Sequence, residues 1–118
     1  MPAPNGRVLL HLDRNLRSVV EAADIYYLEA VGETTLVRLR SSRRLRDVRS
    51  LGEMAPVLFP FGILRVHRNH AVNLAHVLEI RRRGAAEGWE IKLEPPVNRV
   101  LPVSRTLLKR VWTAFGER

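Results

Sequence analysis

Between Gly62 and Val77 an apolar run is broken by four consecutive polar residues, His67-Arg68-Asn69-His70, and then resumes through Ala71, Val72 and Leu74. No other feature constrains the chain as much. Gly62-Ile63-Leu64-Arg65-Val66 has the branched character of a strand that builds a core. Such a segment, interrupted to set two imidazoles, a guanidinium and a carboxamide side by side, is built to present them. A shorter stretch repeats the arrangement: Leu101-Pro102-Val103 runs into Ser104-Arg105, where a helix is predicted to begin. We read the two places as parts of one basic face.

The rest of the chain supplies short strands with breakers between them. Strands are predicted over Arg7 to Leu12, Leu16 to Val20, Ile25 to Ala30, Thr34 to Arg40, Arg43 to Asp47, Val77 to Arg81, Trp89 to Leu93 and Arg99 to Val103. Glu21 to Asp24 reads as one helical turn. In Thr34 to Arg40 the apolar Leu36, Val37 and Leu39 sit with Arg38 and Arg40 on a shared outer face, giving a half-buried strand with a basic side. Pro102 places its strand at a sheet edge or at a strand end. Ser50 with Glu53 three residues on is a capping box, opening a short helix through Leu51, Met54, Val57 and Leu58. A C-terminal helix is predicted from a Ser104 cap, with Leu107, Leu108, Val111, Trp112 and Phe115 facing the core and Arg105 and Lys109 on another side. The expected fold is mainly β with short helices, the last helix packed on the sheets. Residues 1–6 are predicted as a flexible N-terminal segment and 7–118 as a single domain.

Charge carries the functional argument. The 118 residues hold 20 basic and 12 acidic side chains, a net charge of +8 and a pI near 11.3. Lys92 and Lys109 are the only lysines, so 18 of the 20 are arginine, whose planar fork suits phosphate oxygens and guanine edges. Such a balance favours an anionic partner. Six arginines lie between Arg38 and Arg49, opposed only by Asp47. They form either a phosphate-tracking ribbon, through Arg38 and Arg43 among others, or an edge strand defended by charge. No apolar stretch approaches the length of a membrane span, and the first residues lack the apolar centre of a signal peptide, so a cytoplasmic protein is expected. Without cysteine there is no disulfide framework and no thiolate site.

His67, His70 and His76 lack a carboxylate or cysteine at ligand spacing, so a metal is not predicted. A histidine paired with Ser104 lacks the glycine frame of a nucleophile elbow, so no catalysis is predicted either. Asn73 reads as a structural cap. Arg68 beside Asn69 suits phosphates and base edges together.

These residues also carry a resemblance. Leu64-Arg65-Val66-His67-Arg68-Asn69-His70-Ala71-Val72-Asn73 resembles the signature of LytTR-type DNA-binding domains, and Leu101-Pro102-Val103-Ser104-Arg105 resembles that family's second signature. Asp24-Ile25-Tyr26-Tyr27-Leu28-Glu29-Ala30 is similar to its opening strand, and the Ser50-to-Leu58 helix falls where the family has one. The matches stand in order and cover most of the chain from about residue 20. Asn69 stands where serine is commoner, and His70 where an aromatic is usual. The resemblance implies a β domain whose loops enter successive major grooves of duplex DNA, used as the output domain of bacterial response regulators. By that resemblance Arg105 reads bases and Arg68 makes the intervening contact. The Glu33-Thr34-Thr35 turn is then the first reading loop, and Arg65, His67 and Asn69 lie near the DNA backbone.

The expectation is therefore a bacterial transcription regulator that binds promoter repeats as a homodimer on DNA, with no cofactor. The alternative is a basic module that binds an acidic protein.

Overall fold

Val8, Leu10, Val20 and their neighbours alternate with exposed residues, and this alternation folds the first two strands into a hairpin. The computed structural model describes residues 6–84 and 88–117. The proposed N-terminal segment, apart from Gly6, and residues 85–87 of the Arg82-to-Gly88 loop lie outside them.

Among the described residues there are ten strands. β1 (Arg7–His11) and β2 (Arg17–Glu21) form a two-stranded antiparallel sheet. β3 (Ile25–Val31), β4 (Thr34–Leu39), β5 (Arg44–Asp47), β6 (Ile63–His67) and β7 (His70–Asn73) form a five-stranded sheet in the order β5-β4-β3-β7-β6. β8 (Val77–Arg82), β9 (Trp89–Leu93) and β10 (Val100–Val103) form a third, in the order β10-β9-β8. Every pairing is antiparallel. Pro102 lies in an edge strand, where its missing N–H removes nothing from the ladder.

The five-stranded sheet is the middle layer. One face carries Ile25, Leu28, Val37, Leu39 and Ala71 against Val8 and Leu10 of the hairpin and Leu51, Met54 and Leu58 of helix α1 (Leu51–Leu58). The other carries Tyr27, Leu64, Val66 and Val72 against Ile91, Leu93, Leu101 and Val103 of the third sheet and Val111 of helix α2 (Leu108–Ala114). α1 opens with the predicted capping box: Ser50 Oγ accepts from Glu53 N–H, and the Glu53 carboxylate accepts from Ser50 N–H. Gly62, at φ 85°, ends the Phe59–Phe61 turn in the left-handed region and releases the chain into β6.

Five expectations need correction. In β4 the buried face is Thr35, Val37 and Leu39, while Leu36 shares the outer face with Arg38; Leu36 and Leu39 are three apart and cannot share a strand face. His67 and His70 are strand residues paired across a two-residue turn, so the polar loop is only Arg68-Asn69. Val57 is 50% exposed on α1, because the buried stripe is Leu51, Met54 and Leu58 and the helical turn sets Val57 at its margin. Ser104 does not cap α2, which begins four residues later with no side-chain cap. The Ser104 N–H is taken by β6 and its hydroxyl by Thr106 Oγ1, so Ser104 heads a separate turn closed by Leu107 N–H on its carbonyl. Finally, Phe115 is 48% exposed rather than in the core, beyond the last residue of the shortened helix.

Candidate nucleic-acid interface

The strand directions gather three turns at one end of the middle sheet. β3 ends and β4 begins there, joined through Gly32-Glu33, and Gly32 has φ 59°. β6 ends and β7 begins beside them, joined through Arg68-Asn69. The two turns are linked by the Ala30 N–H, which donates to the Asn69 carbonyl at 2.9 Å. The third is the Ser104–Leu107 turn. The β6–β7 register steps from Arg65–Ala71 to His67–His70 and leaves Val66 out, the mark of a bulge. The Val66 carbonyl accepts from Ser104 N–H at 2.7 Å, which brings Arg105 beside the Arg68 turn.

Each side chain at this end is held by local chemistry. Arg65 donates from Nη2 to the Arg68 carbonyl at 2.6 Å, fixing the turn from within. Its Nε is buried and has no hydrogen-bond partner among the described residues. His67 Nδ1 accepts from Asn69 N–H at 3.1 Å, which places the proton of a neutral ring on Nε2. Burial, then the Arg68 and Arg65 charges, pushes the His67 pKa below the ordinary histidine value. His70 Nε2 lies 3.3 Å from Glu29 Oε2, its cross-strand partner. Burial outweighs that carboxylate, and the His70 pKa is also lowered. Both rings are therefore biased to neutrality, so the positive charge of this end comes from arginine. Arg68, Asn69 and Arg105 are all exposed.

The other predicted site residues divide. Thr34 Oγ1 donates to the Val31 carbonyl and closes the first turn while staying partly exposed. Thr35 is wholly buried, its hydroxyl donating to the Arg49 carbonyl, so it has no surface to offer and leaves the candidate interface. Lys109 is exposed on α2 and lines a groove of about 920 Å³ between the two helices, with Arg65, Thr106 and Arg110. The groove thus extends the basic surface away from Arg105. Arg38 is half-buried on the outer face of β4, its Nε donating to the Leu39 carbonyl. Arg43 lies on the β4–β5 turn, at the far end of the sheet, and is not brought together with Arg68 and Arg105.

Asp47 and Arg49 turn part of the arginine run into structure. Asp47 is fully buried and accepts from His11 N–H, Arg49 N–H and the Arg49 guanidinium. Burial alone would raise its pKa; the bonds from Arg49 and His11 more than offset that and hold it below the ordinary value. One residue near the three turns, Arg99, escaped sequence reasoning. Arg99 Nη1 donates to the Tyr27 hydroxyl and Nη2 lies 3.7 Å from Glu29, so Glu29 is held between Arg99 and His70. The register of β3 against β7 sets Glu29 opposite His70, and Arg99 carries no motif of its own that could announce its place beside them. Among the described residues no group of three histidines, aspartates or glutamates could hold a metal, and no helix is long and apolar enough to cross a membrane.

The family model described as LytTr DNA-binding domain matches residues 16–116. Among curated proteins, the chain is 31% identical over 113 residues to the CO-responsive transcriptional regulator RcoM of Rhodospirillum rubrum. That match covers 93% of this chain and 46% of RcoM, so the chain spans just under half the length of that relative. Among solved structures, the fold is similar to the LytTr DNA-binding domain of a protein described as a methyl-accepting/DNA response regulator from Bacillus cereus. The TM-score is 0.73 at 22% identity, covering 94% of this chain and 97% of that one.

Proposed function

Since the chain belongs to the LytTr DNA-binding domain family, we propose that it is a sequence-specific regulator of transcription that reads duplex DNA with the three gathered turns. The observation that carries this reading is the Ser104–Val66 bond, which sets Arg105 and Arg68 on adjoining turns of one rigid end. Arg105 presents two parallel donors to guanine O6 and N7 in a major groove. Arg68 and Asn69 lie one turn away and contact the intervening phosphates, with Lys109 adding a phosphate contact on the α2 side. The Gly32-Glu33-Thr34 turn enters the neighbouring groove, where Thr34 contributes hydrogen bonding rather than charge. Arg65 and His67 act from behind, by holding the Arg68-Asn69 turn in shape. Two copies on repeated half-sites account for a promoter with repeats. The regulatory role is supported by the relative described as a transcriptional regulator.

The test is selection of bound sequences from a random duplex pool, followed by titration across salt. A recovered motif and a log–log slope of about −0.9 per neutralised phosphate are expected. One observation favours a second reading: the groove between the helices joins apolar Phe59 and Leu64 to basic Arg65, Lys109 and Arg110, which suits an acidic helix. No recovered motif, together with an acidic peptide that unrelated duplex cannot displace, would put that reading ahead.

A further inference from the structure

β2 is paired on one side only. Among the described residues β1 is its sole neighbour. Leu12 N–H donates to the Leu16 carbonyl at 3.0 Å, so Leu12 and Leu16 are a bonding pair, and the antiparallel alternation makes Leu10–Ser18 and Val8–Val20 bonding pairs too. The main-chain groups of Arg17, Val19 and Glu21 therefore point away from β1. On β1 the same alternation turns His11 and Leu9 outward, and there they are satisfied: His11 by Asp47 and Val48, the Leu9 carbonyl by Arg49. Among the described residues β2 has no such cover.

We infer that β2 is the seam of a symmetric homodimer, pairing antiparallel with β2 of a second copy about a two-fold axis at Val19. In that register Val19 faces Val19, Ser18 faces Val20, and Arg17 of each copy faces Glu21 of the other. The outward main-chain groups are the ones such a register uses. Arg17, Val19 and Glu21 are exposed on one face, and Leu9, beside Val19 in the β1–β2 register, is 49% exposed against 50% for Val19. The seam thus carries an apolar row, Leu9–Val19–Val19–Leu9, flanked on both sides by opposite charges. Arg7 already lies 3.7 Å from Glu21 at the end of each row, and Arg17 spends one guanidinium nitrogen on the Asp13 carbonyl. A shift of two residues sets Val19 against a charged side chain, so the pattern selects its own register. An open edge is ordinarily blunted by proline or by charges of one sign; the strand Arg17-Ser18-Val19-Val20-Glu21 instead complements itself. Val19, Val20 and Glu21 line a cleft of about 270 Å³ together with Leu39, Arg40 and Arg43, so open space lies between the edge and the β4–β5 turn.

This pairing deepens the proposal of two copies on repeated half-sites and rests on it only for its use. A five-residue seam is small for a stable interface, so it acts at high concentration or where two half-sites hold the copies together. The experiment is sedimentation equilibrium of the full chain without DNA, on wild type, Arg17→Glu, Glu21→Arg, and an equimolar mixture of the two variants. Each variant alone sets like charges opposite each other twice and loses self-association by roughly tenfold or more; the mixture restores opposite charges at both positions and regains it. Val19→Pro removes an outward N–H that β1 does not use and also loses association, with an unchanged circular dichroism spectrum. Wild type that stays monomeric to millimolar concentration, or an Arg17→Glu variant that associates as well as wild type, overturns the proposal. Affinity for a duplex with one half-site separates the two readings. If DNA reading fails, that affinity is absent while the mixture still associates. If the seam fails, one-site affinity stands while the charge swaps have no effect.

Discussion

The Ser104 main-chain N–H donates to the Val66 carbonyl at 2.7 Å, joining two stretches 38 residues apart through a carbonyl that the β6–β7 register leaves out. It makes one surface of two short motifs. Arg105 consequently stands on a turn anchored to the middle sheet, not on the first turn of a helix.

Arg105→Ala is expected to keep the fold and non-specific DNA binding but to lose preference for the selected site, by about 1–3 kcal/mol of discrimination. Arg105→Lys should fail similarly, since an ammonium lacks the two-pronged geometry. Thermal melting with the ratio of specific to non-specific affinity checks both. A retained ratio in Arg105→Ala would assign base reading to the Arg68-Asn69 turn instead.

Arg68→Ala and Arg43→Ala should differ. Arg68 belongs to the gathered end, so its loss lowers affinity on target and unrelated duplex alike and reduces the salt slope by about one contact. Arg43, at the far end of the sheet, should leave both unchanged. Equal losses in the two variants would move the interface onto the β4–β5 ribbon.

How much of this was legible follows from which interactions are local. The capping box of Ser50 and Glu53 depends on neighbours within four residues, and it appears where the pattern predicts it. Asn73 also was legible as a cap: its Oδ1 accepts from Ala75 N–H. Its Nδ2 bonds to the Ala22 and Ile25 carbonyls, 51 and 48 residues away, have no local signature. The same holds for Thr35, whose burial depends on the Arg49 carbonyl across the sheet, and for Ser104, whose cap-like sequence is overridden by β6. The arginine run looked uniform, yet Arg49 is committed to buried Asp47 while Arg43 is exposed at a distant turn.

Asn73→Ala should therefore destabilise the fold by about 2–4 kcal/mol, since it leaves buried carbonyls and an N–H unpaired. DNA affinity per folded molecule should not change. Denaturant unfolding and DNA titration of the same sample measure the two effects separately.

Asp47 makes stability depend on acid. Its folded pKa lies below the ordinary value of 3.8, so the unfolded chain binds more protons between the two values. The stabilisation is fully present above about pH 3.8 and is lost as pH falls through the lower folded pKa. Asp47→Ala should cost about 3 kcal/mol at neutral pH by stranding Arg49 and the His11 N–H, and should flatten the acid limb of a stability–pH curve. An unchanged limb would mean that other carboxylates set it.

The central claim, that the three gathered turns form the DNA-reading end, is tested most directly by amide chemical-shift mapping of the labelled chain titrated with its selected duplex. The account predicts that the largest shifts fall on residues 32–34, 67–70 and 104–106, with β1, β2 and the β8–β9 hairpin unmoved apart from any seam effect at Val19. Shifts centred on Arg43, Arg44 and Arg46, with residues 67–70 and 104–106 silent, would contradict it.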